Sequence, residues 1–157
     1  MANTNAACKW YICATEQDSD LTKAEYEALT WVEIKGIGNV GETGKSTNVL
    51  TYPTWDTTVV DKAKGLTDAG SPTFEVARDP NDDGQDILRT AGAVGNNHKY
   101  AFKEVRADAA TSNGTGTTIY NRGIVGGPTR PNGANEDFDL EVFNLGFVQE
   151  EIVVDPT

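Results

Sequence analysis

The chain has 157 residues and a mass of 16.9 kDa, about one domain's worth, and a chain of this size buries about 68–70% of its extended surface without disulfide or metal staples. A hydrophobic content of 38%, with 3 Trp, 5 Tyr and 5 Phe, excludes a disordered polymer. Twenty-four acids against thirteen bases leave a net charge of −11, which repels phosphate backbones and anionic membranes and excludes nucleic-acid binding through a basic surface.

The acidic excess is uneven: residues 132–157 hold Glu136, Asp137, Asp139, Glu141, Glu150, Glu151 and Asp155 and neither Lys nor Arg. No apolar run reaches the roughly twenty residues that span a bilayer, and the opening Met-Ala-Asn-Thr-Asn lacks the basic start and apolar middle of a signal peptide. The expectation is a protein made and kept in the cytoplasm, with Cys8 and Cys13 as free thiols.

A single domain spanning 1–157 is expected. Residues 1–20 read as an N-terminal arm, polar except for the Trp10-Tyr11-Ile12 island. Thr22 and Glu25 then form a capping box, with Leu21 and Tyr26 at the positions of a hydrophobic staple, which predicts a short helix to about Leu29. From Trp31 the period becomes two, giving a strand through Val32 and Ile34 that the glycines at 36, 38 and 41 end. Ser46 to Tyr52 and Thr73 to Ala77 read as further strands, the latter with Phe74 and Val76 on one side. Between them, 53–72 reads as a long loop and a contact element. Asp79-Pro80 opens a second helix with Asp79 as cap and Ile87, Leu88 and Ala91 as its buried face. Lys99 to Arg106, Thr117 to Val125 and Phe138 to Phe147, broken near Gly146, are the last strands, and 148–157 is an extended acidic arm. Few strands are separated by helices of crossover length, so the class is mainly β: an antiparallel sandwich or barrel with one flanking α-helix.

Gly41-Glu42-Thr43-Gly44-Lys45-Ser46 fails as a phosphate-binding loop, because its first glycine would fall at Asn39 and a strand pattern follows instead of a helix. Asp79, Asn81 and Asp83 with Gly84 match the first half of a calcium-binding EF-hand loop, but the twelfth position is Thr90. Helix capping is the favoured reading, with calcium as the weaker alternative. The single histidine, His98, sits in a polar turn and supplies no triad, so no enzyme is expected and no cofactor is called for. Cys8, Cys13 and His98 are one ligand short of a structural zinc tetrahedron, and Asn113-Gly114-Thr115 marks a turn. Asp137, Asp139 and Glu141 alternate with Phe138, Leu140 and Val142, which predicts a strand with an acidic face and an apolar one.

The order of features resembles the tail tube (major tail) proteins of long, non-contractile-tailed bacteriophages. The resemblance rests on Trp31 to Gly38 ahead of a Gly- and Thr-rich segment, on the long loop through Asp56, Asp61 and Gly65, and on Phe74 to Gln85 with its acidic Asp-Pro helix start. It implies a β-sandwich subunit that forms hexameric rings stacked into a tube around a DNA channel, meeting tape measure, tip and terminator proteins. The implied location is the virion tail, after assembly in the host cytoplasm. On this reading Asp137, Asp139 and Glu141 line the lumen and let DNA pass without binding, while Trp55, Asp56, Asp61 and Lys62 belong to the ring-stacking loop. The alternative from another class is a monomeric β-sandwich binding or virion decoration module, calcium-assisted through Asp79, Asn81 and Asp83.

Overall fold

The computed structural model describes residues 2–157. In chain order the elements are β1 (Lys9–Ile12), α1 (Lys23–Glu27), β2 (Val32–Ile34), β3 (Ile37–Val40), β4 (Ser46–Tyr52), β5 (Asp61–Asp68), β6 (Thr73–Ala77), α2 (Asp83–Ala91), β7 (Tyr100–Val105), β8 (Thr118–Thr129), β9 (Leu140–Phe147) and β10 (Ile152–Val154). Strands dominate and all described pairings are antiparallel, as the period-two patterning and the shortage of crossover helices require.

The main sheet runs β2-β1-β7-β8-β9-β6-β3, with β10 added to β8 beyond the end of β9. Its two end strands, β2 and β3, are joined by only Lys35 and Gly36, so the sheet must curl until its ends almost meet. The core records that curl. Trp10 of β1 stands edge to face on Phe74 of β6 at 4.7 Å, although three strands separate them along the sheet. Ile12, Ile34, Phe102, Phe143, Leu145 and Phe147 fill the same interior with Leu88 and Ala91 of α2.

Helix α2 plugs the seam between β2 and β6. Buried Gln85 donates through Nε2 to the carbonyls of Lys35 and Ala77 at 2.7 and 3.0 Å, and its Oε1 accepts from Asp79 N at 2.9 Å. Asp82 caps the helix by accepting from Gln85 N, and the same oxygen accepts from Lys35 N, both at 3.1 Å. These bonds satisfy backbone groups that the sheet leaves free where its edges part. Gly84 lies so close that an added Cβ would stand 2.3 Å from Glu33 O.

Helix α1 covers the outer face. Its capping box is complete, and Leu21 and Tyr26, the staple pair, are buried with Cys13, Ala101 and Tyr120. Tyr26 stacks on Tyr120 at 5.0 Å, and burial pushes its hydroxyl up to about 12. Gln149 ties the chain's last segment here, donating to Leu21 O at 2.7 Å and accepting from Leu21 N and the Tyr26 hydroxyl at 2.9 and 3.2 Å.

Several boundaries differ from those expected. The segment called an N-terminal arm contains β1, an interior strand paired to β2 and β7 with Trp10 and Ile12 buried; one short aromatic run cannot display a period. Of the glycines expected to end the first strand, Gly36 sits in the turn after β2, while Gly38 lies within β3 and Gly41 follows it. The presumed long loop 53–72 contains β5, which folds back on β4 as a hairpin. The cap of α2 is Asp82, not Asp79, and β9 continues through Gly146. The C-terminal arm is pinned by β10, and Thr157 O accepts from Ala110 N at 3.0 Å. Among the described residues there are two helices, both at places the sequence predicts and one on each face of the sheet, so the mainly β, antiparallel class with a flanking helix holds.

Candidate assembly surfaces

The β4–β5 hairpin stands apart from the sheet and pairs only with itself. Tyr52 pairs with Asp61, Thr51 with Lys62, Leu50 with Ala63 and Val49 with Lys64, and a register shift follows between Thr47 and Val49. Tyr52 and Leu50 therefore project from one face, Val49, Lys62 and Lys64 from the other. Every residue of β4 is exposed, and so is β5 apart from a half-buried Gly65. Leu66 at 85% and Tyr52 at 72% exposure are the kind of side chains that normally line a core. Trp55 at the tip is fully exposed, with Asp56 beside it and Asp61 and Lys62 opening the return strand. The four residues that the resemblance assigned to a ring-stacking loop thus lie on one projecting element, although the sequence hid the strand that carries two of them.

The hairpin is hinged on few contacts. The hydroxyls of Thr47 and Thr67 meet across it at 2.8 Å. At its base Lys45 pairs with Glu150, which holds that carboxyl below and that ammonium above their ordinary values. The segment that imitated a phosphate loop is therefore the root of this arm. Phe147 N donates to Gly70 O and Leu145 N to Pro72 O, both at 2.9 Å, tying the return to β9.

The expected acidic strand face does not exist as a unit. Asp137 lies in a loop, where its Oδ2 accepts from Ala134 N at 2.7 Å. Asp139 is exposed and stands 3.6 Å from Arg78. Glu141 is fully buried, so its assignment to a solvated lumen is corrected. Its Oε1 accepts from Arg89 Nε at 2.9 Å and faces Arg78 at 3.7 Å, and its Oε2 accepts from Arg130 at 3.2 Å. The companion expectation also reverses, since Phe138 is 80% exposed and Leu140 and Val142 are only half-buried. The reason is phase: Phe143, Leu145 and Phe147 supply the apolar face of β9, and two residues earlier that face reaches Glu141. That signal was present in the sequence; the three arginines around Glu141 were not recognisable from it.

The calcium candidates serve local backbone structure. Asp79 Oδ1 accepts from Asn81 N at 2.9 Å in a local turn, and Asp83 lies in the first turn of α2. Among the described residues the group of ligand-type side chains that converges is Glu16, Asp18 and His98 instead. Cys8 and Cys13 are free thiols, Cys13 buried.

At the far end of the interior, Glu104 is buried with one oxygen 3.2 Å from Arg106 and the other without a hydrogen-bond partner. Burial pushes its carboxyl above the ordinary value, against the lowering effect of Arg106.

No protein-family description matches the chain, and no curated protein matches it. Its fold does recur among solved structures. A chain in the cryo-EM structure of the anti-feeding prophage baseplate, 6-fold symmetrised, superposes at a TM-score of 0.66 with 6% identity, covering 99% of this chain and 98% of that one. A chain in the cryo-EM structure of the anti-feeding prophage cap, a tube terminating cap, gives 0.65 with 9% identity over 99% and 93%. At such identities the likeness is one of fold.

Proposed function

We propose that this chain is a structural subunit of a phage-type tail, a tube protein that closes into hexameric rings and stacks around a channel through which DNA passes. The observation that carries the reading is the β4–β5 hairpin, exposed on both faces. A lone two-stranded hairpin is marginal in water, and one bearing this much apolar surface needs a partner to cover it. Near-complete fold overlap with a chain in a 6-fold symmetrised baseplate and with one in a tube terminating cap supports a repeating assembly as that partner. A head-to-tail interface closes by rotation within a ring, while stacking stays open-ended.

The net charge of −11 suits a wall that DNA must not grip, since duplex DNA carries about one negative charge per 1.7 Å. With Glu141 inside the subunit, Asp137 and Asp139 are what is left of the three carboxylates assigned to the channel. Tape measure, tip and terminator proteins would be the partners at the two ends, and the virion tail the destination. Negative-stain microscopy and light scattering on the purified chain test the reading. Rings or tubes of uniform width support it; a stable monomer at every concentration, including after mixing with tail-tip protein, favours a monomeric decoration module instead.

A further inference from the structure

Away from the hairpin, three ligand-type side chains meet at one point. Glu16 and Asp18 lie on the segment leaving β1, and His98 on the turn entering β7. His98 Nδ1 stands 2.8 Å from Asp18 Oδ2 and 3.3 Å from Glu16 Oε2, and the three ligand atoms lie within 4.8 Å of one another. We propose that Glu16, Asp18 and His98 form a site for a divalent transition cation of the zinc class, clasping the β1 exit to the β7 entrance.

The backbone holds the ligands in place. Gln17 N donates to Lys99 O at 2.7 Å, and Lys99 N donates to Asp18 Oδ1 at 3.0 Å, which engages that oxygen and leaves Oδ2 toward the imidazole. His98 N donates to Asn96 Oδ1 at 3.1 Å and fixes the turn. All three side chains are exposed, so an ion enters and leaves without opening the fold.

Without a metal the cluster is over-supplied with acceptors. Nδ1 carries at most one proton, two carboxylates face it, and those carboxylates repel each other. A dication replaces the proton, neutralises both carboxylates and engages all three groups at once. Zinc takes such ligands at about 2.0–2.2 Å, which at tetrahedral to octahedral angles sets neighbouring ligand atoms about 2.8–3.5 Å apart. The distances from Nδ1 to both carboxylates, 2.8 and 3.3 Å, already lie in or near that span. One imidazole nitrogen favours zinc, nickel or copper over magnesium or calcium, which prefer oxygen alone. Lys99, whose positive charge acts on His98, is the opposing group. Water completes the coordination.

The inference does not depend on the tail assignment. Its test is titration of the untagged full chain with zinc chloride in a non-coordinating buffer, followed by calorimetry, by melting temperature and by the His98 imidazole NMR signals, with magnesium chloride in parallel. One saturable zinc ion per chain, a higher melting temperature and perturbed His98 ring signals are expected, with little response to magnesium. His98→Ala and Glu16→Gln should each weaken zinc binding at least tenfold. Glu16→Gln alters an exposed side chain and serves if the histidine variant folds poorly. Undiminished binding in both variants overturns the site, as do unmoved His98 signals in the native chain, or loss of binding in Cys8→Ser while His98→Ala still binds.

Discussion

Glu141 and Glu104 show how the same side chain behaves oppositely in two buried settings. Three arginines surround the first, one of them partly buried and the other two substantially exposed, so removing its charge strands cations whose positions it fixes. Breaking such a buried pair costs about 3 kcal/mol, at the lower end of the usual range because Arg78 and Arg130 keep access to water. Glu141→Ala should lose about that much in urea unfolding, whereas Asp137→Ala, in the exposed loop, should change little. Glu104 has one arginine, itself 40% exposed, and an oxygen with no donor. Its raised carboxyl value means that ionisation works against the fold. The associated stability is therefore fully present below the unfolded value near 4.5 and is lost as pH rises through the higher folded value. Glu104→Gln should accordingly stabilise the protein at pH 7, with the advantage shrinking as pH falls through the raised folded value and gone below about 4.5. Denaturant melts at the two pH values check this, and a variant less stable than the native chain at pH 7 would show that the Arg106 contact outweighs the burial.

Helix α2 is the element on which the curled sheet closes, and its key residue is polar. Gln85 receives or supplies hydrogen bonds at Lys35, Ala77, Asp79 and Arg89, so Gln85→Leu would remove three partly buried bonds to the backbone of Lys35, Ala77 and Asp79, at about 1 kcal/mol or more each. A loss of more than about 3 kcal/mol is expected in chemical denaturation. Gly84→Ala should be as damaging for a steric reason, because β2 backbone occupies the space its methyl needs. How much of this was legible follows from what a sequence displays. The capping box of α1, the strand β6 and the apolar face of α2 are local patterns and were readable to within a residue or two. Gln85 was not, since it acts only once β2 and β6, distant in sequence, have come together. Strand β4 was read with its bounds, but its partner β5 was hidden because Lys62, Lys64 and Gly65 break the alternation that marks a strand with one buried face, and β5 has no buried face to mark. The converging Glu16, Asp18 and His98 were invisible for the same reason as Gln85: the chain between 18 and 98 must fold first.

At the scale of the whole molecule the main sheet is a finished object and the hairpin is not. The sheet buries two aromatic clusters, one on each face, while β4 and β5 contribute to neither. Their stability in a free subunit therefore rests on a two-stranded ladder, one hydroxyl pair and an exposed ion pair, and exposed ion pairs contribute little. Local opening of such a segment should lie far below global unfolding in free energy. Hydrogen exchange on dilute subunits should find residues 46–68 exchanging within seconds while β6 to β9 stay protected. In assembled material the same hairpin should be protected many-fold more strongly, because a neighbour then covers Leu50, Tyr52 and Leu66. A substitution separates assembly from folding: Leu50→Asp replaces an exposed side chain, so the melting temperature of the subunit should hardly move, yet rings and tubes should fail to form when a charge must be buried at the contact. A large fall in subunit stability would place Leu50 in the monomer's own structure, and normal assembly with equal exchange in both states would remove the hairpin from the interface.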